Sequence, residues 1–328
     1  MALTTYSRPG SINNATGASV QADLFLKKFA GEVLTTFETN AVFKPLHIVR
    51  TIENGKSASF PVTGTAETKY MKPGDNLLTD TVGGNSYLSG IAHGEQEIVI
   101  DNLLTSSTFI ARIDEARNHY DVRSIYTEEI GRALAKKFDK TIAQLIVNAS
   151  RASASAPKKA GNGTINIGTT PTGSTIAQGI FKSAVKLDSN DVPDDGERYC
   201  VLPPDLYALL VQETGGYERA NAVGSYSKNS IMEIAGVKIL KSNNLPYTAI
   251  TSADTNALVN YGNATTYANV GGVVFHKNSV GTVKLLDLAV ESEYRIELQG
   301  TFIVSKYAMG HGVLRPECSV ELNKAAIA

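Results

Sequence analysis

The stretch RSIYTEEIGRALAKKFDKTIAQLIVNAS, residues 123–150, carries the strongest periodic pattern in the chain. Apolar side chains recur along it every three or four residues, which is the spacing of one face of an α-helix. Asp121 or Ser124 can cap its start, and residues 150–163 supply the helix breakers. At about 1.5 Å per residue the helix is roughly 40 Å long, so its stripe needs a partner along that whole length. The pattern predicts a long spine helix with this apolar stripe: Tyr126, Ile130, Leu134, Phe138, Ile142, Leu145 and Ala149.

An unusual β-segment precedes the spine helix. It begins as the alternating strand GKSASFPV (55–62) and ends as a second strand, GEQEIVIDNL (94–103). Between them lie proline and glycine turn residues without a helical pattern. A two-stranded hairpin is marginally stable in water, and this one has too few apolar residues to build its own core. The sequence therefore predicts an extended hairpin that lies on the rest of the chain or on another copy.

The flanking regions complete an arrangement of mixed helices and strands. Residues 1–22 have no apolar stripe, so they form either a disordered tail or an arm ordered by a neighbour. Residues 24–38, LFLKKFAGEVLTTFE, have the spacing of a short amphipathic helix. Strands and helices alternate between about 160 and 275, and the chain is β-rich from Gly271 onward. The alternation indicates a mixed α/β or α+β domain there, and the fold class expected for the chain as a whole is α+β.

Composition excludes several classes of protein. The net charge is −1, which is incompatible with a strongly basic protein that coats nucleic acid. No run approaches the roughly 18 apolar residues of a membrane span, and the N-terminal stretch lacks the apolar core of a secretory signal. Two cysteines, Cys200 and Cys318, cannot form a disulfide framework or a zinc site. We expect a soluble protein with reduced thiols.

Motifs of catalysis and cofactor binding are absent from the sequence. It contains no phosphate-binding P-loop, no HExxH and no CxxC, and its five histidines are scattered one per element. Two segments contain more aromatic, charged and glycine residues than an ordinary loop requires. They are NHYDVRSIYT (118–127) and KYAMGHGVLRPE (306–317). We interpret the first as a helix entry. The glycines of the second favour a tight strand junction with His311 as a satisfied polar group, rather than a ligand.

Several segments resemble the major capsid proteins of short-tailed, T-seven-like bacteriophages. The likeness is in register over about residues 24–105, 118–135 and 275–317, and only the general layout agrees over 150–270. Val313 stands where the family pattern has a glycine, and Glu291 and Glu293 lie on a strand that is usually more basic. The matching segments are LFLKKFAGEVLTTF (24–37), HIVRTIENGKSASFPV (47–62), YMKPGDNLL (70–78), NHYDVRSIYT (118–127), GTVKLLDLAV (281–290) and SKYAMGHGVLRPE (305–317).

This resemblance implies the Hong-Kong-97-type capsid fold, with an N-arm, an extended β-hairpin loop, a peripheral domain and an axial domain. The arm would comprise residues 1–45 and the extended loop residues 46–105. The peripheral domain would combine 106–160, which holds the spine helix, with the terminal strands of 276–328. Residues 161–275 would form the axial α/β domain. The hairpin would need no core of its own because it would lie on the adjacent subunit.

The resemblance also implies a structural function without catalysis, cofactor or metal. The chain is expected to form hexamers and pentamers of an icosahedral head shell, with T=7 symmetry, around the phage double-stranded DNA. Its partners would be copies of itself, a scaffolding protein during assembly, a portal at one vertex, non-specifically held DNA and a possible decoration protein, with no membrane. It would be made and assembled in the bacterial host cytoplasm and reside in the virion.

Two other functions stay open at this point, a soluble binding module and an enzyme with a cryptic site. Particle size by light scattering would separate all three. For the capsid hypothesis, Arg50 and Lys56 flank the first hairpin strand and two glutamates lie on the second, so ion pairs with the next subunit are expected. The candidate intersubunit contacts are Arg50, Lys56, Phe60, Tyr70, Glu95, Glu97, Asp121 and Arg123.

Overall fold

The structure, a computed structural model, describes most of the protein from residue 33 to residue 325. The residues left out within that range are 34, 38–39, 65, 83–84, 114–121, 156, 214–223, 226–229, 232, 247–257, 260 and 262–266. Among the described residues, no helix is long and apolar enough to cross a membrane.

Within the described part of the chain, three α-helices and sixteen strands have assigned bounds, alongside four 3-10 helices of three residues each. The helices are α1 (Val122–Arg151), α2 (Gly173–Ser189) and α3 (Pro204–Glu213). The strands are β1 (Ile48–Thr51), β2 (Ser57–Thr63), β3 (Thr81–Val82), β4 (Asn85–Ser86), β5 (His93–Val99), β6 (Leu104–Ala111), β7 (Thr164–Asn166), β8 (Arg198–Leu202), β9 (Gly224–Ser225), β10 (Ser230–Ile231), β11 (Glu233–Ile234), β12 (Val237–Lys241), β13 (Val270–His276), β14 (Val280–Arg295), β15 (Gly300–Val313) and β16 (Ser319–Asn323).

Helix α1 is the predicted spine. It has 30 residues and is therefore roughly 45 Å long. All of the predicted stripe is buried except Tyr126, which is 42% exposed near the start of the helix. Ser124 lies inside the helix, so it is not the N-cap, and Asp121 falls outside the described residues. The second half of the helix is buried on more than one face, because strands from two sheets pack against it.

The first sheet joins the long terminal strands to the region before the spine. Its order is β1-β14-β15-β6, and β14 and β15 form a long antiparallel hairpin from Val280↔Val313 to Arg295↔Gly300. Strand β1 runs parallel to β14. Apolar side chains from this sheet, such as Ile303, Tyr307 and Met309, pack with the spine in one core.

The second sheet has the order β11-β12-β8-β13-β16-β7. Strand β13 is buried throughout, and its side chains alternate between the two faces of the sheet. Val273 and Phe275 belong to the core around α1, whereas Val274 belongs to a second core with α2 and α3. The sheet is therefore the middle of three layers. Strand β16, from the C-terminal region, lies between β13 and β7, so the predicted domain boundaries divide this sheet and stay a prediction.

Local sequence explains the helices that cover the second sheet. Thr172 caps α2, since its hydroxyl accepts from the Thr175 backbone N–H at 3.3 Å and the Thr175 hydroxyl accepts in return from the Thr172 backbone at 2.9 Å. The apolar stripe of α2 is buried and consists of Ile176, Ile180, Ala184 and Leu187. Helix α3 begins at Pro204, a position where proline is favoured because its missing N–H has no partner in a helix.

The segment before β1 is helical in part and packs against the spine helix. Residues 33, 35–37 and 40 are helical, which agrees with the end of the predicted N-terminal helix. Phe37 lies edge-on to the spine residue Phe138, with ring centroids 5.7 Å apart. The remaining apolar positions of that predicted helix, Leu24, Phe25, Phe29 and Leu34, lie outside the described residues.

Candidate assembly surface

The base of the extended hairpin is part of the folded body. Strands β2 and β5 pair antiparallel from Ser57↔Val99 to Thr63↔His93. We call the buried residues that join this pair to the first sheet the hairpin-base cluster; its members are Ala58, Ile98, Ile100, Val283, Ala308 and Leu314. Burial of these side chains fixes how the hairpin leaves the body.

Two glycines of β15 allow the hairpin to approach this closely. A Cβ atom built on Gly310 would lie 2.2 Å from the carbonyl oxygen of Val99, and one on Gly312 would lie 2.8 Å from Cγ1 of Ile98. No side chain fits at either place. The predicted tight junction at Gly310-His311-Gly312 is therefore confirmed, with β5 as the strand that approaches.

A turn beyond the spine also holds the hairpin. A Cβ on Gly94 would lie 2.8 Å from Cδ of Pro157, and the Lys158 ammonium donates to the side-chain oxygen of Gln96. Nothing in the sequence around residues 152–158 indicated this contact, because a run of Ala, Ser, Pro and Lys has no periodic pattern. It became visible only from the packing.

The described residues of the distal segment of the hairpin, residues 66–92, include almost no buried apolar side chains. Tyr87 is an exception, and its hydroxyl donates to the Asp75 carboxylate. In contrast, Tyr70 is 100% exposed, Leu78 is 73% exposed and Leu88 is 57% exposed. The complete set of exposed large apolar residues here is Tyr70, Met71, Leu77, Leu78, Val82, Leu88 and Ile91. Exposed apolar side chains gathered in one segment are typical of a surface that binds a partner.

The predicted contact residues divide between the two parts of the hairpin. Arg50 donates to the Ser59 carbonyl at 3.1 Å, and its guanidinium carbon lies 5.7 Å from the centre of the Phe60 ring. Glu97, opposite Ser59 in the pairing, accepts from the Ser57 hydroxyl. Arg50 is therefore already bound within its own subunit, to Ser59 and Phe60, whereas Glu97 is bound to Ser57.

The other predicted contacts are more dispersed. The side chains of Lys56 and Glu95 are exposed, and neither has an ion-pair partner within the described part of the protein. Tyr70 lies in the distal segment, away from the base. Arg123 is described only as a backbone position in α1, and Asp121 lies outside the described residues. Contact of all these residues with another subunit stays a prediction.

Buried charge fixes the entry of the N-terminal segment into the body. The Asp139 carboxylate of the spine accepts from the backbone N–H groups of Val42 and Phe43 at 3.0 and 3.1 Å, and from the Asn244 side-chain amide at 3.0 Å. Burial raises the pKa of Asp139, while these three donors act in the opposite direction. Asp139 directly follows the stripe residue Phe138, which is only a weak signal of this clamp of three hydrogen bonds, because the bonded partners lie far away in the sequence.

Two histidines share one hydroxyl inside the body. His47 Nδ1 donates to the Phe43 carbonyl at 2.6 Å, so its Nε2 must accept from the Thr282 hydroxyl at 2.8 Å. That hydroxyl in turn accepts from Nδ1 of His311 at 2.8 Å. Burial lowers the pKa of His47 to about 4 and that of His311 to about 3. His311 is a satisfied polar group, as expected, and its pairing with His47 was not foreseen.

An acidic loop next to β8 is occupied by contacts within the subunit. The buried Arg198 guanidinium lies 2.7 Å from Asp188 and 3.8 Å from Asp194, while Lys277 pairs with Glu197 at 2.6 Å. Acidic groups that are bound this way stabilise the loop rather than form a free anionic surface.

Asp195, Glu197 and His276 bring three groups of the kind that bind metals within 4.8 Å of one another. Nδ1 of His276 accepts from the Asn278 N–H, so Nε2 carries the proton and donates to Asp195 at 3.1 Å. A neutral imidazole in this form has no lone pair left for a cation. The pKa of Asp195 is lowered mainly by the hydrogen bond from the Glu197 backbone N–H, and to a smaller extent by the hydrogen bond from this imidazole. The trio is a hydrogen-bonded histidine–carboxylate arrangement.

The acidic departures from the capsid pattern have partners on the same sheet. Glu291 on β14 pairs with Lys306 of the adjacent strand at 2.7 Å, and Glu293 pairs with Arg295 at 3.2 Å. Val313 pairs with Val280 at the end of the same hairpin.

Comparison with known proteins agrees with this architecture. The model of the family described as Gp10A-like major capsid proteins matches residues 59–323. The major capsid protein of Escherichia phage T7 is 34% identical over 97% of this chain and 98% of its own length. The capsid structure of cyanophage P-SCSP1u is 40% identical, with a TM-score of 0.74 that covers 99% of this protein and 100% of the cyanophage protein.

A more distant structure supports the fold alone. The mature capsid of bacteriophage PhiM1 is 18% identical, with a TM-score of 0.69 that covers 87% of each protein. The expected Hong-Kong-97-type α+β capsid fold is confirmed. The chain belongs to the Gp10A-like family of major capsid proteins.

Proposed function

We propose that the protein forms the hexamers and pentamers of an icosahedral head shell, with T=7 symmetry, that encloses phage double-stranded DNA. Members of its family are structural components of the virion, so the protein is shell-forming and not an enzyme. A shell of this kind closes through heterologous contacts, in which one surface of a subunit meets a different surface of the next.

The distal segment of the hairpin is the observation that supports this proposal. Its base is buried in the body, yet its far part exposes Tyr70, Leu78 and Leu88 to solvent. Full burial of one such residue contributes about 1.5–3 kcal/mol relative to full exposure, so the isolated subunit forgoes a sizeable stabilisation. We place this segment on the adjacent subunit, where these side chains would be covered.

Charged residues near the hairpin base would then act at the rim of the contact. Lys56 and Glu95 are exposed, without ion-pair partners among the described residues, and are the best candidates for pairing across subunits. An exposed ion pair contributes under about 1 kcal/mol, so single charge reversals should have mild effects. Repeated around a ring of subunits, such pairs would make particle stability sensitive to salt.

The further partners follow from the same proposal. A scaffolding protein would assist assembly in the bacterial host cytoplasm, a portal would occupy one vertex, and a decoration protein could bind the outer surface. DNA would be held weakly and without sequence preference, since a net charge of −1 allows few phosphate contacts. Nanomolar binding of duplex DNA by the free subunit at physiological salt would contradict this expectation.

Deletion of residues 66–92 tests the role of the distal segment. The hairpin-base cluster lies outside the deletion, and surface loops are shortened at little cost, so we expect native circular dichroism with no stable particles in sedimentation. The deleted variant would be co-expressed with its scaffolding partner. Normal particles from this variant would contradict the intersubunit contact, and so would loss of the fold.

A point variant refines the same test. Tyr70→Ser combined with Leu78→Ser and Leu88→Ser removes apolar surface without changing the length of the segment. Thr68→Ser combined with Lys72→Ser is the control, since both side chains are exposed and polar in the same segment. We expect particles from the control and mainly unassembled subunits from the apolar variant; equal particle yields would argue against the apolar contact.

A further inference from the structure

Two Asn-Gly pairs occur in the sequence, Asn54-Gly55 and Asn162-Gly163. In such a pair the backbone nitrogen of the glycine can attack the side-chain amide carbon of the asparagine, because glycine has no side chain in the way. The reaction needs a free amide and a free backbone nitrogen that can approach each other. The two pairs differ sharply in both respects.

Asn162-Gly163 is held on both reacting groups. The Asn162 side-chain amide donates to the Glu317 carbonyl, and its oxygen accepts from the Asn190 side chain. The Gly163 nitrogen, which would be the nucleophile, donates to the Ser150 carbonyl at 2.7 Å. Reaction here requires these bonds to break first.

Asn54-Gly55 has none of these restraints. Both residues are exposed, and neither makes a hydrogen bond with any described residue. Gly55 has a φ of +133°, a conformation that suits glycine, and a Cβ there would have no neighbour nearer than 3.7 Å. The amide and the nucleophile are therefore both free to turn toward each other.

We propose that Asn54 is a site of spontaneous deamidation in the folded subunit. The Gly55 nitrogen bonds to Cγ of Asn54, the bond between Cγ and Nδ2 breaks, and Nδ2 leaves as ammonia after taking up the proton that the Gly55 nitrogen loses. The product is a five-membered succinimide ring. Water then opens the ring at either carbonyl, which gives an aspartate or an isoaspartate at this position. Base speeds the first step by taking up the proton of the Gly55 nitrogen, and no oxidant or reductant is needed.

The site lies at the joint between the body and the extended hairpin. On one side the Ile52 N–H donates to the Lys284 carbonyl at 2.9 Å, and on the other the Ile100 N–H donates to the Lys56 carbonyl at 2.9 Å. Residues 53–55 lie between these two fixed points and must therefore accommodate any change in the backbone at Asn54. Each product adds one negative charge next to Glu53, and the isoaspartate also adds one carbon atom to the backbone. The charge and the backbone length of this joint would therefore change as the protein ages.

Peptide mass spectrometry of the unassembled full-length subunit, aged in mildly alkaline buffer, tests this assignment. We expect the peptide with Asn54 to gain one mass unit and to split into two chromatographic peaks. The peptide with Asn162 should react at least about tenfold more slowly, because two or more hydrogen bonds must break. The Asn54→Gln variant should lose the reaction, since glutamine would have to form a less favourable six-membered ring.

The urea-unfolded protein is the matched control. Without the fold, the two sites should react at similar rates, so the difference in the native subunit is due to structure. Equal rates in the native subunit would overturn the proposal. A native Asn54 that stays intact while the same site reacts in urea would also overturn it.

Discussion

Acid should destabilise the folded subunit through the pair of histidines that share the Thr282 hydroxyl. Both imidazoles are neutral in the fold, where the pKa of His47 is lowered to about 4 and that of His311 to about 3. In the unfolded state each would titrate near its ordinary pKa of about 6.5. Between these values the unfolded state binds protons that the folded state does not, so stability falls as the pH drops below about 6.5.

The size of the effect follows from linkage. Each histidine contributes roughly 1.4 kcal/mol per pH unit in this range, so the pair gives a slope of roughly 3 kcal/mol per unit down to about pH 4. Over two units that is comparable with the whole stability of many domains, which is about 5–15 kcal/mol. Asp139 opposes the loss, since its raised pKa means that the folded state binds its proton more readily.

Urea unfolding of the unassembled subunit at several pH values between about 7 and 4 measures this slope. The His311→Asn variant keeps a donor near Nδ1 but removes a titrating group, so its slope should be smaller by roughly 1.4 kcal/mol per pH unit. Its stability near neutral pH should also fall, because the imidazole packs 5.2 Å from the Phe138 ring. His93→Gln is the control, since His93 is exposed. The proposed role of the two histidines is refuted if His311→Asn leaves the pH dependence of the unfolding free energy unchanged. It is also refuted if His93→Gln reduces that dependence as much.

Three further predictions concern other buried groups. Asp139→Ala removes the acceptor of two backbone N–H groups and should lower the free energy of unfolding by about 3 kcal/mol, as measured in urea. Lys136→Ala, on the exposed side of the same helix, should lower it by under about 0.5 kcal/mol. Equal losses would contradict the clamp at Asp139. Gly310→Ala should lower the free energy of unfolding by about 1–3 kcal/mol, because its Cβ would overlap the Val99 carbonyl. A Cβ at Gly90 meets no atom within 4 Å, so Gly90→Ala should be neutral. A Gly310→Ala subunit of unchanged stability would argue against the close approach. Burial raises the pKa of Cys318 to about 12 and also raises the pKa of Cys200. A thiol reagent should therefore label both residues only in urea. Fast labelling of the native subunit would contradict their burial.

The sequence predicted those elements whose pattern is local. The stripe from Ile130 to Ala149 marked the spine because one helix face repeats regularly, and that face is buried. Tyr126 continued the stripe in sequence, yet it is exposed near the start of the helix. The pair of glycines around His311 likewise indicated a close contact before its partner was known.

Contacts that depend on distant parts of the sequence could not be predicted. Asp139 lies 97 positions from Val42, and Thr282 lies 235 positions from His47. No local pattern connects such residues, because their meeting depends on the order of strands in the sheets. The place of β16 inside the second sheet depends on the same long-range order. Contacts of Tyr70 and Lys56 with another subunit depend on the packing of whole subunits, which no local pattern in the sequence encodes.

The hairpin separates the energetics of folding from those of assembly. Its base is held by the hairpin-base cluster and by the close approach at Gly310, so substitutions there should act on the subunit itself. Its distal segment contributes almost nothing to any core, so substitutions there should leave the free energy of unfolding nearly unchanged. Any stabilisation from Tyr70, Leu78 and Leu88 is gained only when a partner covers them. If this apolar surface drives association, as proposed, the subunit can fold first and assemble afterwards, because the surface is not needed to reach the native fold.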